Sequence, residues 1–121
     1  MAKIMIVDDS EAIRNLLKDM LVVGKHEVVA EAVDGIDAIE KFSTIKPEVI
    51  LLDVAMPKKD GLTTLKEIKK TNLNAKVIMI TVRDEMEMIQ DCVAAGASAY
   101  VIKPFDTEDV LKSISFVLDE N

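Results

Sequence analysis

Val49–Leu52 is a run of four apolar residues that ends in a single carboxylate, Asp53, with Pro47 before it and Pro57 and Gly61 after it. A run so short and unbroken reads as a strand buried on both faces, and such strands belong to parallel sheets covered by helices. Lys3–Val7, Glu27–Glu31, Val77–Ile80 and Ala99–Ile102 are further strand-like runs, each followed, like Val49–Leu52, by apolar residues at helical spacing. Five such alternations predict an α/β fold, a doubly wound five-stranded parallel sheet with right-handed crossovers.

The helical stretches carry their own punctuation. Ser10 is placed to cap a helix with the stripe Ile13, Leu16, Leu17, Met20 and Leu21, which Gly24 ends. Asp34-Gly35 reads as a turn, followed by the face Ile36, Ile39 and Phe42. Leu62, Leu65 and Ile68 mark a third helix whose lysines Lys66, Lys69 and Lys70 read as a solvated face. Asp84 is expected to cap a fourth, with Ile89, Cys92 and Val93 inward and Gly96 as its stop. The last, opened by Thr107, has the stripe Val110, Leu111, Ile114, Val117 and Leu118.

In open α/β sheets the ligand crevice lies beyond the carboxyl ends of the strands. There this chain places Asp53, the pair Asp8-Asp9, the hydroxyl of Thr81, and Lys103 followed by Pro104. Asp53 alone could equally cap a turn. Three carboxylates in one crevice repel by roughly 1–4 kcal/mol per pair at surface-like dielectric, so the cluster calls for a cation. An all-oxygen set suits Mg²⁺ or another hard divalent ion. A carboxylate nucleophile, metal-ligating acids, a hydroxyl and a lysine are what phosphoryl transfer onto an aspartate requires.

Composition excludes other classes. The 121 residues suffice for one self-supporting core. A formal net charge of −7 argues against nucleic acid, which is bound by neutralising phosphates. No apolar run approaches the ~18 residues of a membrane span, and the direct run of Met1–Val7 into the first strand reads as a chain expected to carry no leader. Cys92, the one cysteine, reads as a small buried hydrophobe, which fits a reducing, cytoplasmic setting. His26 lies away from the strand ends and is not expected to take part in chemistry. The whole span 1–121 reads as one domain without an output domain, so its target must be reached by non-covalent binding.

Asp8-Asp9, Asp53 with Met56-Pro57 and Asp60-Gly61, Thr81, Ala95-Gly96-Ala97, Tyr100 and Lys103-Pro104-Phe105 run from end to end of the chain. In this order they resemble the receiver domain of two-component response regulators, in particular its free-standing CheY-like chemotaxis branch. The resemblance implies the flavodoxin-like strand order 2-1-3-4-5. It implies that Asp53 accepts a phosphoryl group from a CheA-like histidine kinase. It further implies that Mg²⁺ (or Mn²⁺) is held by Asp9 directly, Asp8 mostly through water, Asp53, and the backbone carbonyl of Ala55. Lys103 would pair with the phosphoryl group, Pro104 would follow a cis peptide bond, and Thr81 with Tyr100 would form the switch.

The same resemblance implies a monomer that, once phosphorylated, binds a flagellar or archaellum motor switch or adaptor protein. The output surface expected is Met86, Ile89, Tyr100, Ile102 and Phe116, Phe116 standing off its helix's apolar stripe. Met86 and Ser113 occupy positions where the flagellar-motor relative has lysines, which points to a different and basic partner. Three positions depart from common family choices: Val82 is expected to narrow access to Asp53, Ala55 can neither orient nor block a water, and Arg83 could reach over the site. The alternatives are a phosphorelay intermediate and, of another class, a haloacid-dehalogenase-type phosphatase or flavodoxin-like enzyme. Ala55 stands where that phosphatase needs a second Asp, and Asp8-Asp9 would repel a flavin phosphate.

Overall fold

The computed structural model describes residues 2–56 and 59–119. Pro57 of the Met56-Pro57 motif and the terminal Asn121 lie outside the described residues. The elements alternate without exception: β1 (Lys3–Val7), α1 (Glu11–Val23), β2 (Glu27–Ala32), α2 (Gly35–Ile45), β3 (Val49–Leu52), α3 (Gly61–Thr71), β4 (Lys76–Thr81), α4 (Met86–Ala94), β5 (Ala99–Ile102) and α5 (Thr107–Asp119). All pairings are parallel and the strand order is β2-β1-β3-β4-β5. The expected fold and order are therefore observed. β2 runs one residue further than the apolar pattern suggested, and β4 gains Lys76 and Thr81.

Side chains alternate across a strand, so each central strand feeds two cores. Ile4 and Ile6, Val49 and Leu51, Ile78 and Ile80 pack with Leu17, Leu21, Val110, Ile114 and Val117 beneath α1 and α5. Their neighbours Met5 and Val7, Ile50 and Leu52, Val77 and Met79 pack with Phe42, Leu65, Ile68 and Cys92 beneath α2, α3 and α4. This two-sided burial is why Val49–Leu52 is uniformly apolar.

Caps fix where the helices begin. The Ser10 hydroxyl accepts the Ile13 N–H at 3.2 Å, Asp34 that of Asp37 at 2.8 Å, and Asp60 that of Thr63 at 2.8 Å. Asp34 is thus a helix cap, not a free turn. The expected Asp84 cap is not formed: Glu85 occupies the cap position of α4 and makes no side-chain cap bond. Arg83 engages the Glu85 carboxylate at 2.8 Å instead.

Four residues assigned to core stripes are exposed: Leu16, Ile36, Val93 and Leu118. Each lies at the rim of its stripe, and a helix laid on one side of a sheet buries only the positions beneath it. Lys69 departs in the other direction. Its ammonium donates to the Ala75 carbonyl at 2.9 Å, and its stem lies against Gly96, whose φ of +103° and missing Cβ admit it. Gly96 ends α4 as expected, one residue past the Ala95 cap.

Candidate functional site

Asp8, Asp53 and Lys103 are the first residues past the ends of β1, β3 and β5, held there by the backbone ladder, and Thr81 is the last residue of β4. The Asp8 N–H donates to Ala32 O at 3.1 Å, Asp53 N–H to Val7 O at 3.0 Å, and Lys103 N–H to Thr81 O at 2.7 Å. Each lies one ladder bond beyond regular structure, so its side chain enters the crevice from a fixed backbone. Asp8, Asp53 and Thr81 are buried, and Asp9 is exposed. One carboxylate oxygen from each of Asp8, Asp9 and Asp53 falls within a group whose members all lie within 4.8 Å of one another.

Lys103 enters from β5, with its ammonium 3.3 Å from Asp8 Oδ2 and 3.8 Å from Asp53 Oδ2. Three carboxylates against one ammonium leave a surplus of negative charge. Burial is the chief force raising the Asp53 carboxyl above its ordinary value; the Lys103 ammonium and the Thr81 hydroxyl oppose it, and Asp8 adds to it. Hard oxygens, close spacing and surplus negative charge fit a divalent cation such as Mg²⁺ or Mn²⁺.

The loop after Asp53 folds back tightly. The Ala55 N–H reaches Asp53 Oδ1 at 3.3 Å, and the Gly61 N–H donates to Val54 O at 2.8 Å. A Cβ on Gly61 would stand 2.1 Å from the Asp53 carbonyl oxygen, so only glycine lets α3 start against the acid's own backbone. The Lys103–Pro104 peptide is cis, as expected for Pro104.

Thr81 is fully buried, and its hydroxyl accepts the Arg83 N–H at 3.2 Å. Tyr100 is half-buried on β5, and its hydroxyl donates to the Arg83 carbonyl at 2.7 Å. Thr81 and Tyr100 therefore grip the same residue of the β4–α4 loop from two sides. Burial pushes the Tyr100 phenol up to about 12, so it remains a donor at any ordinary pH.

The departures from family habit acquire positions. Arg83 is turned to Glu85 and not laid over the crevice. Val82 is 62% exposed. It lines an open groove of about 350 Å³ with Ile13, Leu16, Lys103, Pro104 and Phe105. His26 sits at the opposite end of the sheet, where its Nδ1 accepts the Ala2 N–H at 3.1 Å. Cys92 is buried, as read from the sequence. Arg14 and Glu31, which the sequence reading passed over, come together beside Asp8: the buried guanidinium donates to the Asp8 carbonyl at 2.7 Å and to Glu31 at 3.1 Å. Both are charged residues 17 positions apart, and no local spacing announces such a pair.

The response regulator receiver domain family matches residues 4–115. The chain belongs to that family. It is 40% identical over 117 residues to the chemotaxis protein CheY of Bacillus subtilis (strain 168), covering 97% of this chain and 98% of the relative. It is 39% identical over 119 residues to the chemotaxis protein CheY of Halobacterium salinarum (strain ATCC 29341 / DSM 671 / R1), covering 98% of each. Among solved structures it is similar to the CheX–CheY–BeF₃–Mg²⁺ complex from Borrelia burgdorferi, with a TM-score of 0.95 and 31% identity over 98% of this chain and 90% of that one. The receiver domain is a signalling module, and phosphorylation-activated signalling is the family's general function. Among the described residues, no helix is long and apolar enough to cross a membrane.

Proposed function

We propose that Asp53 is the phosphoryl acceptor of this receiver domain and that a CheA-like histidine kinase is its donor. The observation that carries this reading is the meeting of Asp53, Asp8, Asp9 and Lys103 beyond the carboxyl ends of β3, β1 and β5, with Asp53 buried beside the lysine. In the transfer, an Asp53 carboxylate oxygen bonds to phosphorus as the P–N bond of the donor phosphohistidine breaks. The electron pair stays on the imidazole nitrogen, which takes up a proton. The Lys103 ammonium pairs with one phosphoryl oxygen, and the Thr81 hydroxyl donates to another.

Asp8, Asp9, Asp53 and the Ala55 carbonyl would hold Mg²⁺ or Mn²⁺, which would supply charge neutralisation for the phosphoryl oxygens. The protein thus catalyses its own phosphorylation and dephosphorylation while acting as a signalling domain, in the cytoplasm and as a monomer. Recruiting Thr81 to the phosphoryl group pulls on the loop that Tyr100 also grips, which biases a two-state element.

The output is binding of a motor switch or motor-adaptor protein through α4, β5 and α5. Phe116 is 60% exposed and Met86 65%. Ile102 is exposed, and Ile89 and Tyr100 are half-buried beside them. A groove of about 380 Å³ between β5 and α5, lined by Tyr100, Ile102, Asp109, Lys112 and Ser113, adds relief to this face. Glu85, Glu87 and Asp91 on one side and Glu108 and Asp109 on the other are exposed. An apolar centre with an acidic rim fits a basic partner, such as an archaellum adaptor, better than an acidic motor peptide.

Intact mass after incubation with a small phosphodonor and Mg²⁺ tests the core of this reading. One phosphoryl adduct on the wild type and none on Asp53→Asn is expected; an unmodified wild type, or a full adduct on the variant, overturns it.

A further inference from the structure

β1 ends at Val7, and its ladder to β2 runs out one bond later, at the Asp8 N–H. Beyond Ala32 the chain leaves the sheet, and Asp34 already caps α2. The Asp8 carbonyl therefore has no continuing strand beside it to donate to it. Arg14 supplies the missing donor: Nη1 meets the Asp8 carbonyl at 2.7 Å, and Nε meets Glu31 Oε1 at 3.1 Å. Glu31 is held in turn by the Lys18 ammonium at 2.9 Å. The Lys18 hydrogen bond, then that of Arg14, keeps its carboxyl below the ordinary range, so the anchor is anionic. Arg14 is only 9% exposed, and the fork is one that a lysine cannot reproduce.

The Asp8 carbonyl is half of the peptide that leads into Asp9. The other constraints on Asp8, its N–H to Ala32, its Oδ1 to the Ser10 N–H at 2.9 Å and its Oδ2 to the Lys103 ammonium at 3.3 Å, hold its amide and its side chain, and among the described residues only Arg14 holds its carbonyl. Asp9 itself is exposed, so its carboxylate is aimed by backbone and not by packing. We propose that Arg14, anchored by Glu31, is a positioning residue for the cation site: it fixes the Asp8–Asp9 peptide and so the direction from which Asp9 meets a divalent ion. This rests on the reading of Asp8, Asp9 and Asp53 as that site. Groups one layer behind metal ligands typically change affinity 10–100-fold when altered.

Charge and geometry act in opposite directions here, which makes the test decisive. Removing a cation near the site would by itself tighten binding of a dication. Losing the fork loosens it. The experiment is calorimetric titration of Mg²⁺ into the metal-free full chain, with a thermal melt of the same samples. Arg14→Lys keeps the charge and loses the fork; its Kd is expected to be at least tenfold weaker than wild type, while Lys70→Met, exposed in the last turn of α3, stays within twofold. Glu31→Asp, which keeps the anchor's charge but shortens its reach to Arg14, is expected to weaken Kd severalfold and serves if Arg14→Lys does not fold. A lower melting temperature with an unchanged Kd in these variants would mean a structural role only and overturn the proposal, as would tighter binding. A wild type that takes up no Mg²⁺ refutes the site reading itself, a result distinct from either.

Discussion

Asp9 has the least support of the three acids and the most exposure, which makes it the best probe of their repulsion. Two like charges 4 Å apart repel by about 1 kcal/mol in water-like dielectric and about 4 kcal/mol nearer the protein interior. Lys103 contacts Asp8 and Asp53 and so offsets only part of this. Asp9→Asn is expected to raise the melting temperature without metal and to abolish the further rise on adding Mg²⁺, which in the wild type follows simple linkage. Thermal melts with and without Mg²⁺ read both effects, and a variant still stabilised by the ion contradicts the assignment. At the other end of the sheet, His26 lends a different sign. Burial is the largest cause lowering its pKa below 6.5, with the Glu48 carboxylate opposing, and its Nδ1 must be unprotonated to accept the Ala2 N–H. As pH falls below about 6.5 the unfolded chain takes the proton first, so stability declines until the lowered native pKa is passed, and is regained as pH rises. Urea midpoints between pH 5 and 7.5 are expected to follow this slope in the wild type and to lose it in His26→Gln.

At the scale of elements, Gly61 ties helix placement to chemistry. Its substitution by alanine forces a methyl into the Asp53 carbonyl and the Val54 backbone, against atoms that cannot swing aside. Overpacking of this kind costs about 1–3 kcal/mol, and the shift falls on the peptide that carries Asp53, the proposed acceptor. Gly61→Ala is therefore expected to lower the urea midpoint and to slow phosphorylation by a small donor; full-speed phosphorylation in a destabilised variant would detach the loop from the site. How far the sequence allowed such statements differs by kind of signal. Strand runs, the acids at their ends and the cap Ser10 are local, and they could be read. Leu16, Ile36, Val93 and Leu118 were misplaced because periodicity marks a wide stripe while one sheet face covers only its centre. Lys69, read as solvated, is drawn under Gly96 by contacts between α3 and the turn after α4. Arg14 with Glu31, and Tyr100 with the Arg83 carbonyl, were invisible because each pair closes only when the sheet assembles.

Across the whole molecule the crevice and the proposed output face are joined by the β4–α4 loop and β5. Thr81 lies at the crevice end, and Met86 and Phe116 lie on the far helices. Strands and helices buried on two cores are stiff, so on the proposed reading a charge added at Asp53 would act through the segment that both Thr81 and Tyr100 hold. Two features of the face make separate predictions. Phe116 is a large exposed aromatic, the residue type that dominates interface energy when it enters a pocket. Phe116→Ala is expected to weaken binding of a basic partner by tenfold or more with phosphorylation of Asp53 unchanged. The acidic rim sets the encounter rate: each charge reversal there slows association and flattens its dependence on salt. Glu87→Lys, exposed on α4, is expected to do this while leaving dissociation nearly unaltered. Binding kinetics measured at two salt concentrations against an arginine- and lysine-rich adaptor surface, and in parallel against an acidic motor-type peptide, separate the terms. Tight, phosphorylation-enhanced capture of the acidic peptide, improved by Glu87→Lys, would reverse the partner's chemistry while leaving the switch intact.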